Sequence, residues 1–154
     1  MMSISMTPIG FVKSTRKEML DDQWSLEKAS IQLDRALFTE EALYGLEDFS
    51  HVIVTFYMHN VNKEKIETKA RHPRNNPDWP KVGIFSQRGK NRPNQIGITI
   101  CEIEEINGVT LTVKNLDAID GTPVLDIKPY MAEFGSNGEV RQPEWATELM
   151  KGYF

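Results

Sequence analysis

The chain has only one cysteine in 154 residues, which excludes a disulfide framework and a cysteine-based metal site within one chain. It also has no apolar run of the length that a membrane-spanning helix needs. Residues 1–7 lack a charged region followed by a long apolar stretch, so we expect no signal peptide and a cytoplasmic location. The single thiol, Cys101, lies in an alternating apolar pattern, where we expect a packed side chain rather than a nucleophile.

Signatures of several common enzyme classes are missing as well. The sequence contains no Gly-x-Gly-x-x-Gly, no phosphate-binding P-loop, no His-Glu-x-x-His and no Gly-x-Ser-x-Gly. The common nucleotide-binding and hydrolase folds are thereby excluded. Of the histidines His51, His59 and His72, the first two lie roughly 26 Å apart if one extended strand carries both. We therefore predict no metal site, since a three-histidine site would need the fold to bring these residues together.

The composition is that of a globular protein with one domain. Hydrophobic residues make up 40% and charged residues 26% of the chain, and the length allows one core without metal or disulfide bonds. The net charge of −4 argues against a broad electrostatic surface for nucleic acid. An RNA substrate would have to be bound by clustered cations.

Short alternating apolar segments with turn signals between them dominate the chain. The segments that predict strands are residues 8–14, 30–34, 49–59, 81–85, 96–106, 110–114 and 124–127. The long segment 49–59 suggests burial on both faces, and Asn107-Gly108 predicts a two-residue hairpin turn. Only short helices are predicted, at residues 39–43 and 144–151, and residues 60–81 have the composition of a long loop. We therefore predict an all-β fold, a barrel or a sandwich, with short peripheral helices.

A basic loop, residues 85–97, separates two of the predicted strands. It combines three cations, two glycines, two asparagines and a proline within thirteen residues. Glycines let the backbone approach a ligand, and arginine and asparagine offer planar hydrogen-bonding groups for carboxylates, phosphates and bases. The composition predicts a rigid, ligand-facing loop, although a basic surface turn between two strands has the same composition.

Four segments in this order resemble motifs of the TsaA-like family, also called YaeB-like or VirR-like, which includes the tRNA methyltransferase O enzymes. The segments are residues 45–51, 82–88, 92–97 and 116–130. The resemblance covers about residues 7–130. It implies one domain over residues 1–154, with its core at 7–130 and a C-terminal extension containing a helix at 131–154.

The family resemblance implies a compact β-barrel that binds S-adenosylmethionine outside the Rossmann architecture and works as a homodimer. The implied reaction is methyl transfer to the exocyclic nitrogen of a threonylcarbamoylated adenosine in the tRNA anticodon loop. The cofactor-binding residues that it implies are Met58, His59, Arg88, Ile98, Asp120, Gly121, Thr122 and Pro123. Gln23 and Trp24 are added to them, although the family's Pro-Arg-Gln-like segment is changed here to Asp-Asp-Gln-Trp.

These positions make chemical sense for a sulfonium cofactor. Arg88 can pair bidentately with the amino-acid carboxylate, and backbone amides around Asp120 can contact adenine or ribose. His59 and Asp126 are the candidates for a catalytic base. The residues predicted to bind the substrate are Lys90, Arg92, Asn94, Lys128 and Tyr130.

Departures from the family pattern leave the acceptor open. Gln95 replaces the second proline of the family's Arg-Pro-Asn-Pro-Ile-Gly, and residues 89–91 replace a common Ser-Pro. Asn94 fits the edge of an adenine and equally fits a structural turn. The alternatives to tRNA methylation are a non-catalytic S-adenosylmethionine-binding module and a methyltransferase with another small-molecule acceptor.

Overall fold

The structure, a computed structural model, describes residues 1–154 and contains eight strands and one α-helix. The strands are β1 (Gly10–Ser14), β2 (Lys28–Leu33), β3 (His51–Tyr57), β4 (Ala70–Arg71), β5 (Val82–Gly83), β6 (Ile96–Asn107), β7 (Thr110–Lys114) and β8 (Pro123–Pro129). Six of them close a barrel in the order β1-β2-β7-β6-β3-β8, and every neighbouring pair is antiparallel. The prediction of an all-β barrel is confirmed.

Alternation along each strand fills the barrel interior. In β3 the side chains of Val52, Val54 and Phe56 are buried, whereas those between them are half-buried. The expectation that this strand is buried on both faces is therefore wrong, because one face of a closed barrel points outward. The core consists of Val12, Ala29, Ile31, Val52, Val54, Phe56, Cys101, Leu111, Val113, Leu116, Ala118 and Val124.

Cys101 is fully buried in this core, as its apolar surroundings in the sequence predict. Burial, with a smaller contribution from the charge of Asp117, raises the pKa of the thiol to about 12. The thiol therefore stays protonated and acts as a small apolar side chain.

The hairpin between β6 and β7 turns one residue later than the sequence predicts. Asn107 pairs with Thr110, so the turn residues are Gly108 and Val109. Gly108 adopts a φ of 59°, a value that suits glycine. Val109 is buried against Leu33, and its carbonyl accepts a hydrogen bond of 3.0 Å from the Leu33 amide. Burial of this valine accounts for the shifted turn.

The loop predicted for residues 60–81 contains β4, which pairs with β5 in a small separate sheet. The strand predicted at residues 81–85 is reduced to two residues, because Ile84–Ser86 forms a 3-10 turn. The two predicted helices are present, one as a 3-10 turn at Glu40–Leu43 and the other as α1 (Glu144–Leu149). None of the helices has both the length and the apolar character that a membrane span requires.

Candidate ligand-binding end of the barrel

One end of the barrel collects segments that are distant in sequence. β3 ends there while β6 and β8 begin there, since Tyr57 pairs with Ile96 and Phe56 pairs with Val124. β1 also ends at this side, where the Val12 amide donates to the Thr122 carbonyl over 2.9 Å. We call this end, formed by residues 57–59, 95–98 and 120–123, the motif end. The opposite end, formed by residues 33–46 and 126–130, is called the far end.

Ten residues are predicted to bind the cofactor, of which seven belong to the motif end, while Arg88 is joined to it by a hydrogen bond and Gln23 and Trp24 are joined to it through Arg16. The ten residues are Gln23, Trp24, Met58, His59, Arg88, Ile98, Asp120, Gly121, Thr122 and Pro123. Arg88 reaches Ile98 directly, because its guanidinium donates a hydrogen bond of 2.6 Å to the Ile98 carbonyl. The structure thus gathers these residues in or beside one end, and their contact with a cofactor stays a prediction.

The turn before β8 is held rigidly. The Asp120 carboxylate accepts a hydrogen bond of 3.0 Å from the Ser14 amide, and the Asp120 amide donates to the Arg16 carbonyl over 2.8 Å. The Thr122 hydroxyl donates to the Ile119 carbonyl over 2.7 Å. Gly121 adopts a φ of +80°, which a residue with a side chain would adopt only with strain.

His59 lies beside this turn with an unsatisfied ring nitrogen. A Cβ atom on Gly121 would stand 3.8 Å from Nε2 of His59, so a side chain at this position would be in van der Waals contact with the imidazole. Nδ1 of His59 is buried and has no hydrogen-bond partner. Because a buried polar atom without a partner is costly, this atom indicates a place where a ligand or water supplies the missing hydrogen bond.

Gln23 and Trp24 are connected to the same end through Arg16. The Arg16 guanidinium lies 4.0 Å from the centre of the buried Trp24 ring and donates to the Gln23 carbonyl over 3.0 Å. Arg16 also pairs with Glu27 at 3.1 Å. Hydrogen bonds from Thr15 and Arg16 lower the pKa of the Glu27 carboxyl. Arg16 is therefore a structural cation whose charge is already paired.

Arg88 differs from Arg16 because it forms no ion pair. The ion pairs of the chain join Arg16 with Glu27, Arg74 with Asp21 and Asp22, Lys28 and Lys114 with Glu104, and Lys128 with Asp126. The Arg88 side chain is exposed, and it donates one hydrogen bond, to the Ile98 carbonyl. A guanidinium with unused donors at this position can bind an anionic group of a ligand.

The basic loop is held by hydrogen bonds from its own side chains, and its rigidity stays a prediction. The buried Gln87 side chain donates to the carbonyls of Arg71 and Val82 over 3.1 and 3.0 Å. Arg92 donates to the Gln87 carbonyl over 2.6 Å, so its guanidinium holds the loop together. Lys90 is half-buried and forms no ion pair.

The family departure at Gln95 has a structural role. Its side chain donates to the Met58 carbonyl over 2.9 Å, and its own carbonyl accepts from the Met58 amide over 2.8 Å. Gln95 thereby ties the end of β3 to the start of β6. Asn94 beside it is exposed with a φ of 64°, a conformation that asparagine tolerates well.

Three other predicted residues lie from the middle of β8 onward and not beside His59. Asp126 opposes Thr55 within the barrel wall, and its carboxylate pairs with Lys128. The Tyr130 amide donates to the carbonyl of His51 over 2.9 Å, at the start of β3. The structure therefore does not bring Asp126, Lys128 and Tyr130 together with His59.

Two residues at the motif end were not predicted from the sequence. The hydroxyls of Thr99 and Tyr153 donate to different oxygens of the half-buried Asp117 carboxylate. Tyr153 arrives from the end of the chain, where the carbonyls of Gly152 and Tyr153 accept from the amides of Gln23 and Trp24, both at 2.8 Å. No local sequence signal marks Tyr153, because its contacts join residues that are 36 or more positions apart.

The chain has no group of three or more histidine, cysteine, aspartate or glutamate side chains placed to hold a metal ion. What it has is a closed antiparallel barrel with a rigid turn, an unsatisfied histidine and an unpaired arginine at one end. These features define a closed antiparallel barrel whose architecture differs from that of the parallel nucleotide-binding folds. The sequence profile of the tRNA-methyltransferase O N-terminal domain family matches residues 16–136, and the chain belongs to this family. The resemblance to the TsaA-like family is confirmed.

The names of homologous proteins agree with this family assignment. A human protein named tRNA (adenine(37)-N6)-methyltransferase is 37% identical over 143 residues, which cover 88% of this chain and 32% of the human protein. A Methanothermobacter thermautotrophicus protein named "Probable S-adenosyl-L-methionine-binding protein" is 36% identical, with 89% of this chain and 97% of that protein covered. The chain thus spans about a third of the length of the human relative.

Solved structures support the same family. A crystal structure of TrmO from Pseudomonas aeruginosa superposes with a TM-score of 0.72 at 29% sequence identity. The match covers 91% of this chain and 62% of that one. The barrel and its strand order are therefore those of a family member.

Proposed function

We propose that this chain binds S-adenosylmethionine at the motif end and methylates the exocyclic nitrogen of an adenosine in the anticodon loop of tRNA. The names of the human and archaeal relatives support the acceptor and the cofactor respectively. In the form that the family resemblance implies, this adenosine carries a threonylcarbamoyl group. A tRNA substrate would place the protein in the cytoplasm.

The observation that carries this proposal is the gathering of the eight family-matched residues in or beside one barrel end, next to unused hydrogen-bonding groups. S-adenosylmethionine supplies an electrophilic methyl group on a positively charged sulfur, which is a good leaving group. Arg88 has free donors for its carboxylate, and the rigid turn at Asp120–Pro123 offers backbone groups to its nucleoside. The residues present thus fit this cofactor.

The chain then has two tasks in methyl transfer, which are to position the acceptor nitrogen and to remove its proton. His59 is the base that we propose, because its Nδ1 is buried without a partner at the motif end. Asp126 is the weaker choice, since its carboxylate is paired with Lys128 in the barrel wall. Much of the rate enhancement then comes from positioning.

A second candidate function is binding of S-adenosylmethionine without transfer. The relative whose length this chain nearly matches is named for binding alone, and the chain is acidic overall with a net charge of −4. Binding and transfer are separated by two measurements on the purified protein. Calorimetric titration with S-adenosylmethionine reports binding, and incorporation of labelled methyl groups into bulk tRNA reports transfer.

Both measurements are expected to be positive for the wild-type protein. Binding without methyl incorporation would favour the second candidate, and absence of binding would overturn both. The product nucleoside, separated after tRNA digestion and identified by mass spectrometry, would distinguish a threonylcarbamoylated adenosine from an unmodified one as the acceptor.

We also propose a homodimer, with a second copy covering the outer face of β6. Ile96, Ile98 and Ile100 are 37%, 49% and 50% exposed on this face, and half-buried Ile53 lies opposite Ile100. β7 pairs with β6 only from Glu102 onward, so the first half of β6 has a strand on one side only. A second copy would bury this apolar strip, which is continuous with Ile98 and the site.

Sedimentation of the wild-type protein at micromolar concentration tests the dimer. Ile100→Lys should give a monomer, because it places a charge in the strip, and Leu37→Lys at the far end should leave the dimer intact. A wild-type monomer, or a dimer that Ile100→Lys does not disturb, would contradict the proposed interface.

A further inference from the structure

Arg88 and Asp117 both act electrostatically on Tyr153, and they do not pair with each other. The Arg88 guanidinium donates a hydrogen bond to the carbonyl of Ile98. The next residue, Thr99, donates a hydrogen bond from its hydroxyl to Asp117. Neither Arg88 nor Asp117 belongs to an ion pair. A half-buried carboxylate and an unpaired guanidinium in the same neighbourhood would ordinarily attract each other.

The Asp117 carboxylate is instead occupied by two neutral donors. Thr99 donates to one oxygen and Tyr153 to the other. Burial and the nearby negative charge of Asp117 raise the pKa of Tyr153, against a smaller opposing effect of Arg88. The Tyr153 hydroxyl therefore keeps its proton and remains a hydrogen-bond donor to Asp117 throughout the ordinary pH range.

We propose that Tyr153 is a positioning residue that occupies Asp117 and thereby leaves Arg88 free for the anionic group of a bound ligand. The identity of that ligand, S-adenosylmethionine, rests on the proposed function. Without the tyrosine hydroxyl, one oxygen of Asp117 lacks its donor, and the Arg88 guanidinium takes the vacant position. Ligand binding then has to break an internal ion pair first.

Removal of the hydroxyl alone should leave the tail in place. Backbone carbonyls of Gly152 and Tyr153 hold it to Gln23 and Trp24, and the Trp79 ring donates to Glu148 of α1 over 3.2 Å. None of these contacts uses the tyrosine oxygen. Tyr153→Phe therefore tests the hydrogen bond to Asp117 rather than the docking of the tail. The tail lies beyond residues 16–136, the part that matches the family profile.

The test compares Tyr153→Phe with the double variant Tyr153→Phe/Asp117→Asn by calorimetric titration with S-adenosylmethionine. The single variant should bind about two- to fivefold more weakly, the size of effect that a partly exposed competing ion pair produces. The double variant should regain most of the affinity, because an amide does not pair with Arg88 as a carboxylate does. Tyr44→Phe, at an exposed tyrosine of the far end, is the matched control and should bind as the wild type does.

Wild-type affinity in Tyr153→Phe would overturn the proposal, and so would a double variant as weak as the single one. A second readout works without the cofactor: the rate at which hydroxyphenylglyoxal modifies Arg88, followed by peptide mass spectrometry. Modification should be slower in Tyr153→Phe and restored in the double variant. If the wild type fails to bind S-adenosylmethionine, the proposed function is wrong. The modification rates test the role of Tyr153 independently, because equal rates in the three proteins would refute it.

Discussion

The two ends of this barrel use similar residues in opposite ways. At the far end the Asp126 carboxylate is paired with Lys128, and the Tyr44 hydroxyl donates to Glu40 over 3.1 Å. At the motif end Arg88 has no carboxylate partner, and Nδ1 of His59 is buried without any partner. No buried side-chain nitrogen or oxygen atom of the far end lacks a hydrogen-bond partner, so folding alone explains this end.

The motif end is explained better by a ligand, because a stable fold rarely leaves a buried polar atom unpaired. The far end does contain an apolar cleft of about 460 Å³, lined among others by Leu33, Phe38 and Leu43. Its single acidic or basic lining residue is Asp126, whose charge is already paired. Concavity by itself therefore identifies the site less well than unsatisfied hydrogen-bonding groups do.

The largest difference in methyl-transfer rate is expected between substitutions of His59 and His51. His59→Ala should lower the rate of methyl transfer to tRNA about a hundredfold, the lower end of the range for loss of a general base. His51→Ala, which removes a ring bonded to Ser50 over 2.7 Å at the start of β3, should leave the rate unchanged. The rates are measured under single-turnover conditions. Equal rates in both variants would contradict the assignment of His59 as the catalytic base.

The next contrast is between two exposed arginines. Arg88→Ala should weaken binding of S-adenosylmethionine at least about tenfold, since it removes a charge-assisted hydrogen bond to the ligand. Arg35→Ala, in the exposed turn after β2, should bind as the wild type does. Calorimetry measures both affinities. A loss of the same size in the two variants would show that general charge, rather than the site, controls binding.

Stability at the motif end can be tested separately from function. A Cβ atom at position 97 would stand 2.4 Å from the Phe56 ring, so Gly97→Ala should lower the free energy of unfolding by about 1–2 kcal/mol. Gly83→Ala is the matched control, because nothing lies within 4 Å of its Cβ position. Urea denaturation measures both changes. An undisturbed Gly97→Ala protein would show that the contact between β6 and the Phe56 ring is looser than described.

The smallest effect is expected at the far end. Asp126→Asn breaks a pair whose two side chains are 49% and 68% exposed, so methyl transfer and cofactor affinity should each change less than about twofold. A hundredfold loss of rate in this variant would make Asp126 the base and would remove the functional contrast between the two ends.

The sequence predicts the barrel well because the alternation of apolar residues that marks each strand is a local pattern. Alternating apolar residues mark four of the six barrel strands in nearly their full length, and the same alternation buries Cys101. It predicts the hairpin turn one residue too early, since the burial of Val109 against Leu33 depends on a strand far away in sequence. The pairing of β4 with β5 is missed for the same reason.

The site is harder to predict, because one motif contributes to both ends of the barrel. β8 starts at Pro123 and ends at Pro129, a span of about 20 Å at the rise of a strand. Residues 116–130 are contiguous in sequence, yet Asp120 and Tyr130 are separated by the whole barrel wall. Local sequence patterns do not predict the role of Tyr153, because its partner Asp117 lies 36 positions earlier.

Titration of uniformly ¹⁵N-labelled protein with S-adenosylmethionine, followed by two-dimensional amide NMR, tests the central claim most directly. We expect shifts at the amides of residues 58–59, 88–98 and 120–123, with little change at residues 33–46 and 126–130. Shifts confined to the far end, or no saturable shifts at all, would contradict the assignment of the motif end as the cofactor site.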